Sequence, residues 1–327
     1  SPDIHVDVAY LGVNKEQLES SGLFRANETS IARGSDRLTV PHSLRNAHGE
    51  TFQLDRQAFD LMLIEEAHRR GAQVLPGVRC RQFIQKDDGG WRVRGRHHRA
   101  GEQELHARFL IDATGRGSQV SNLLGAKIER LDSLVAIGAF VEFAEPRSVV
   151  QGALLESVEQ GWWYCAALPD ARLTVTLFTD AELASRQRLQ LPEVWNAMLN
   201  TTRHVRRRVA GTQAQGKPWV RNAGSHLTSS RLITAYLPVG DAAAAFDPIS
   251  SMGIGFALSS GCHAARALIA SARGEQELVD AYHNSLSDNY AQFLQLRSSF
   301  YSLERRWEKE PFWSVRQGQA VEVSPPS

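Results

Sequence analysis

The segment RLITAYLPVGDAAAAFDPISSMGIGFALSSG, residues 231–261, constrains the fold more than any other part of the chain. Its first half reads as a strand that ends at Gly240, where the chain can turn sharply with little steric hindrance. Asp241 then projects from the carboxyl end of the strand, where α/β sheets bind their ligands. Its short carboxylate can accept hydrogen bonds from ligand hydroxyls. Pro248 stiffens the following loop. Gly253 and Gly255 admit close backbone approach at the start of an Ala-rich helix, whose free N–H groups favour negative charge. By themselves these features also describe an ordinary strand, turn and helix with a capping aspartate.

Other segments set the architecture around it. In LDRQAFDLMLIEEAHRRGA, Asp55 reads as an N-cap, and Phe59, Met62, Leu63 and Ala67 recur at helical spacing. Glu65 and Glu66 each precede an arginine, Arg69 and Arg70, by four residues, and Gly71 ends the helix. AQVLPGVRC reads as a strand entering a loop, and RQFIQKDDGGWRVRGRHHR as a hairpin turning at Asp88-Gly89. Phe109 to Ile111 reads as a short strand running into the turn of DATG. Leu134 to Phe143, GWWYCAALP and RLTVTLFTD are rich in Thr, Val and aromatic residues and predict an antiparallel sheet. Ser229 to Val239 reads as a further strand, and helices are predicted to continue from Leu278 to about Trp307.

The predicted class is α/β, α+β overall. A Rossmann-like nucleotide-binding lobe is built from residues 1–130 and 229–275, an antiparallel-sheet substrate domain is inserted at 131–228, and helices and a tail occupy 276–327. The 327 residues exceed the usual domain range of roughly 50–250, so two lobes are expected. Thirty-seven basic residues against 36 acidic ones leave a net charge of +1, which points to neither nucleic acid nor an anionic membrane. Three widely separated cysteines, Cys80, Cys165 and Cys262, argue against a disulfide framework and structural zinc, and a cytoplasmic location is the default expectation. No metal site is predicted: His97, His98 and His106 lie near a hairpin and read as solvated. The run Arg206-Arg207-Arg208 reads as a charged face. No G-x-S-x-G elbow supports a serine hydrolase.

Carried through its proline, glycines and Ala-rich helix, the segment around Asp241 resembles the second flavin motif of the para-hydroxybenzoate-hydroxylase-like superfamily, which includes aromatic monooxygenases and tryptophan halogenases. LDRQAFDLMLIEEAHRRGAQV resembles the family's helix whose first-turn arginine reaches the dinucleotide, here Arg56. FLIDATGRGSQVSNLLGA is similar to its strand-to-turn segment, with Asp112 and Gly115 at the matching places. The resemblance implies FAD as cofactor, held by Arg56, Asp112, Gly115, Gly240 and Asp241. It also places Pro248, Ser250, Ser251, Met252, Gly253, Ile254 and Gly255 against the flavin. The family's GxGxxG unit is absent, so this sequence is expected to begin inside a parent protein, and the stretch alone to bind FAD weakly or not at all.

The expected reaction is hydroxylation of an aromatic group through a flavin C4a-hydroperoxide, with molecular oxygen as co-substrate. NAD(P)H or a flavin reductase is the electron source. The substrate is a small aromatic molecule or a peptide-borne aromatic side chain. The stretch NETSIARGSDRLTV holds no lysine, and GWWYCAALP replaces the W-x-W-x-I-P signature; both are departures from the halogenases. The sequence is similar to the branch that matures peptide-derived quinone cofactors. A flavin halogenase, a reductase of the geranylgeranyl-reductase type, and a truncated non-catalytic binding module remain the alternatives. Trp162 and Tyr164 are candidates to line the substrate side; Trp163 faces the other way in a strand, and core packing competes for each of the three.

Overall fold

The computed structural model describes residues 11–20, 23–26, 29–40, 51–143, 152–168 and 171–318. The chain opens with helix α1 (Lys15–Ser20), strands β1 (Leu23–Ala26), β2 (Thr29–Ala32) and β3 (Thr51–Leu54), and helix α2 (Arg56–Arg69). Strands β4 (Val78–Gln85), β5 (Trp91–His97), β6 (Gly101–Ala107) and β7 (Leu110–Asp112) follow, then α3 (Gln119–Leu123) and β8 (Lys127–Arg130). The middle holds β9 (Leu134–Phe143), β10 (Ala153–Val158), β11 (Gly161–Ala167) and β12 (Leu173–Asp180). Helices α4 (Ala181–Gln187), α5 (Pro192–Thr201) and α6 (Val205–Arg208) come next. The last strands are β13 (Thr212–Ala214), β14 (Trp219–Asn222), β15 (His226–Ser229), β16 (Tyr236–Pro238) and β17 (Ala244–Ala245). Helices α7 (Gly253–Ser271), α8 (Glu277–Ser302) and α9 (Pro311–Gly318) close the described chain.

The chain divides into two compact units. The first comprises Ile64–Leu131 and Gly224–Phe293; the second comprises the described residues up to Leu63, Asp132–Ala223 and those from Leu294. In the first unit, β4, β5 and β6 form an antiparallel meander, β7 pairs in parallel with β16, and β15 joins β8 to β17. Strand alternation sends Trp91 and Val93 of the meander inward, where they pack with Val120 and Tyr236. The indole N–H of Trp91 donates to the Ala235 carbonyl at 2.9 Å, so this large side chain is buried with its polar atom satisfied.

Several local expectations shift. Asp55 does cap α2, accepting from the N–H groups of Gln57 and Ala58. One carboxylate, Glu66, takes both Arg69 and Arg70. AQVLPGVRC is not a strand throughout: the ladder begins only at Val78, after a Pro76-Gly77 turn in which Gly77 has φ +78°. The expected strand from Ser229 to Val239 is mostly turn: β15 ends at Ser229, and only Tyr236–Pro238 is strand. β15 pairs with β8 and β17, β16 pairs with β7, and Ala235 at φ +53° turns the chain between the sheets. The expected helical run to Trp307 stops at Ser302.

The second unit holds a seven-stranded sheet in the order β13-β9-β12-β11-β10-β2, with β14 also on β9. Its pairs are antiparallel except β10 with β2. Helices α4 to α6, absent from the strand-rich expectation, contribute Ala184, Trp195, Leu199 and Val205 to a core with Ile137, Trp163, Val175 and Leu177. Trp163 meets Trp195 edge-on at 5.3 Å.

The turn into β11 is fixed by Gly161, at φ +150°, whose added Cβ would overlap the carbonyl oxygen of Phe178. Gly161→Ala should therefore cost about 2 kcal/mol or more. Gly71→Ala, at φ +96° in open space, should cost about 1 kcal/mol. Urea unfolding measures both, and equal losses would show that the clash at Gly161 is relieved in solution.

Candidate functional site

The first unit gathers two turns that are far apart in sequence. β7 ends in Asp112, whose successor turn carries Gly115 at φ +69°, and β16 runs beside it into Gly240 at φ +54°. The Gly240 amide donates to Ser260 Oγ at 2.9 Å, and a Cβ on Gly240 would lie 3.3 Å from that of Ala257. Glycine thus lets the strand end close against α7. The turn presents Asp241, half-buried, with Oδ2 3.3 Å from Arg116 Nε.

Arg116 links more than this pair. Its Nη1 donates to the Gly224 carbonyl at 2.9 Å and its Nη2 to the Phe246 carbonyl at 2.7 Å. The guanidinium therefore ties together the DATG turn, the entry to β15, the Asp241 turn and the loop that follows. Phe246 is in turn fixed by the rings of Phe256, Phe293 and Tyr290, at 4.7, 5.0 and 6.2 Å.

The loop into α7 is also built locally. Asp247, fully buried, accepts from the Ile249 amide, and its carbonyl accepts from Ser250 Oγ. Pro248 and Ser250 are half-buried, Ser251 is exposed at φ +55°, and Met252, Gly253 and Ile254 are half-buried ahead of the buried Gly255. Met252 caps α7 without a side-chain bond, so the first amides of a 19-residue helix have no intrahelical acceptor. A Cβ on Gly253 would come within 4.0 Å of Asp241 Oδ1, and none of the atoms described lies within 4 Å of one on Gly115. A carboxylate acceptor, an uncapped helix start and glycines that leave space open beside them make a donor and acceptor set that fits a polyhydroxylated, phosphate-bearing cofactor.

The side chain of Asp112 lies inside the turn and is fully buried: Oδ1 accepts from the amide and hydroxyl of Thr114, and Oδ2 from the amide and hydroxyl of Ser121 and from Tyr236 Oη. Burial pushes its pKa up, but these donors outweigh it and hold the carboxyl below its ordinary value. The carboxylate braces the turn from inside.

Arg56 lies in the second unit, 61% exposed and ion-paired with Asp60 at 3.2 Å. Trp162 and Tyr164 share a face of β11 opposite Trp163, as alternation requires. Trp162 is nonetheless core: 1% exposed, stacked on Phe178 at 4.0 Å and donating to Tyr301 Oη. Tyr164 is half-buried and keeps an outlook; desolvation pushes its phenol up to about 12.

Sequence reasoning passed over two groups here. Arg116 sits inside the DATGRG segment it singled out. His226 gave no signal, yet its Nε2 lies 3.1 Å from Ser118 Oγ and the main chain of Asp241 is a further hydrogen-bond partner. Burial, and then the charges of Arg116 and Arg130, push His226 down to about 4.

Comparisons with known proteins give the family and the fold. The FAD binding domain family matches residues 11–296. LodB of Marinomonas mediterranea, an FAD-dependent oxidoreductase by name, is 38% identical over 276 residues, spanning 84% of this chain and 73% of LodB. The fold is that of the flavin-dependent halogenase CmlS (TM-score 0.83, 20% identity, 97% of this chain and 60% of CmlS). It is also that of QhpG, a peptidyl tryptophan dihydroxylase (TM-score 0.68, 23% identity, 98% of this chain and 69% of QhpG).

His226 yields a pH test. Its native pKa of about 4 lies below the ordinary 6.5, so the unfolded chain binds more protons between those values. The contribution is complete above pH 6.5 and falls as the pH drops toward 4, by on the order of 2 kcal/mol. Unfolding free energies of the wild type and His226→Gln should therefore converge on acidification. Parallel curves would mean that the histidine takes up its proton in the native state as it does in the unfolded chain.

Proposed function

Because the chain belongs to the FAD binding domain family of flavin-dependent oxidoreductases, we propose that it is a monooxygenase hydroxylating an aromatic group, free or carried by a peptide. The observation that carries the flavin half of this reading is the placement of Asp241 between Arg116 and the uncapped, glycine-bearing start of α7. Asp241 would accept the ribityl hydroxyls, with Arg116 orienting its carboxylate. The amides of Gly253, Ile254 and Gly255 would face the anionic side of the cofactor. The loop from Pro248 to Met252 would shape the flavin edge and keep water from it. Gly115 would admit the backbone close to the dinucleotide.

FAD, reduced by NAD(P)H or a flavin reductase, would supply the chemistry of oxygen activation and transfer to an electron-rich ring. No protein nucleophile is required. Tyr164 remains the substrate-side candidate on the sheet. What favours hydroxylation is the absence of the halogenase lysine from Asn27–Val40 and of the tryptophan signature at Gly161–Pro169. The shared fold of a peptidyl tryptophan dihydroxylase adds to it. The likeness to CmlS keeps a halogenase as the second reading.

Titration of the complete protein with FAD should give saturable binding. Asp241→Ala should weaken it by about 1.5–3 kcal/mol, the worth of a charge-assisted acceptor. Under labelled oxygen, turnover of an aromatic or aromatic-peptide substrate should place the label in the product. A halide-dependent product without the label would move the assignment to halogenase, and no flavin binding would sink both readings.

A further inference from the structure

The meander of β4, β5 and β6 belongs to none of the machinery above, yet it concentrates charge. Residues 78–108 carry eight basic and four acidic residues, a net +4 in a chain whose total is +1. The register decides where those charges point. Arg79 stands opposite Arg96, Gln82 opposite Arg94 and Ile84 opposite Arg92, so four guanidiniums share the face turned away from Trp91 and Val93. The ladder slips between Cys80 and Gln82, and this bulge adds Arg81. Arg81, Arg94 and Glu102 line a shallow cleft of about 320 Å³ with Gln82 and Gly95.

Two features make this face unlike a solvated surface balanced for stability. Like charges placed directly opposite across strands are destabilising, and Arg79 faces Arg96. Of the acids, Asp87 and Asp88 sit in the turn beyond β4, where Asp88 pairs with Lys86, and the other two stand on the far strand: Glu102 is opposite Arg96, and Glu104 is opposite Arg94 and bonded to it at 2.7 Å. Among the described residues Arg79 and Arg81 have no ion pair or side-chain hydrogen bond. The outer edge of β4 pairs with no other strand there, and Arg79 through Gln82 are all exposed. One or two charges and a bulge would suffice to protect such an edge from self-association; the cationic excess exceeds that need.

We propose that the β4 side of this sheet is a docking surface for an acidic, extended segment of a partner polypeptide. Carboxylates spaced along such a segment would meet Arg79, Arg81 and Arg96 while its backbone runs beside the open edge of β4. Glu102 and Glu104 on β6 repel a continuous run of phosphates, whereas a polypeptide can place uncharged or basic side chains against them. The surface thus selects a mixed-charge protein segment over nucleic acid. The inference stands apart from the oxygenation chemistry, since it concerns only binding to this sheet.

The test is fluorescence anisotropy of the complete protein, saturated with FAD, against a labelled peptide alternating Glu and Thr. Saturable binding should weaken about tenfold in Arg79→Glu/Arg81→Glu and on raising the salt. It should be unchanged in Arg206→Glu/Arg207→Glu, which removes exposed charge from α6. Circular dichroism and FAD titration of both variants report whether fold and cofactor site are intact. Absence of saturable binding, an equal loss in both variants, or tighter binding of a single-stranded oligonucleotide of matched charge would each overturn the proposal.

Discussion

A half-buried guanidinium organises the candidate site. Arg116 makes three contacts to groups that are remote in sequence: the carbonyls of Gly224 and Phe246 and the carboxylate of Asp241. A cation withdrawn this far from water must be matched by acceptors, and hydrogen bonds to charged groups are worth about 1.5–3 kcal/mol each. The matching therefore fixes where three segments of chain end up. Asp241 is held at the mouth of the β16 turn, and Phe246 is held where the aromatic rings of α7 and α8 close around it. The loop leading to Gly253 inherits its course from that anchor.

Behind this layer lies a second, buried one. Asp112 gathers five donors inside the DATG turn, and His226 and Ser118 support the floor beneath Asp241. These groups are polar, buried and satisfied, which favours one arrangement of the turns over others. The division is functional: residues that could contact a cofactor are half-exposed and carry glycine neighbours, whereas those that set their geometry are closed off.

The sequence made the glycine turn, the Asp241 projection and the helix start legible because each depends on residues adjacent in the chain. The same holds for Asp55 as a cap and for the opposed faces of Trp162 and Trp163. What escaped depends on distant partners. Arg116 acquires its role from carbonyls 108 and 130 residues away, and Trp162 is sealed by Tyr301, 139 residues on. A side chain on the substrate face of a strand and one buried by a later helix have the same periodicity. Asp112 was legible as important but not as internal, because its donors include Tyr236 on another strand.

Backbone strain gives an independent mark of where the fold is over-determined. Three non-glycine residues of the first unit occupy the left-handed region: Ser118, Ala235 and Ser251, at φ 43°, 53° and 55°. Each such conformation costs on the order of 1–2 kcal/mol and persists only when its surroundings impose it. Ala235 is imposed by the amide of Leu110 and the indole of Trp91, both bonded to its carbonyl. Ser118 is held by His226 and the Ala242 carbonyl, and Ser251 by the carbonyl of Pro248. One lies at the entrance of β16, one beneath its exit turn and one at the start of α7. Strain distributed in this way positions the strand end and the helix start against each other before any cofactor arrives, which is the preorganisation that an acceptor such as Asp241 requires if its hydrogen bonds are to favour binding.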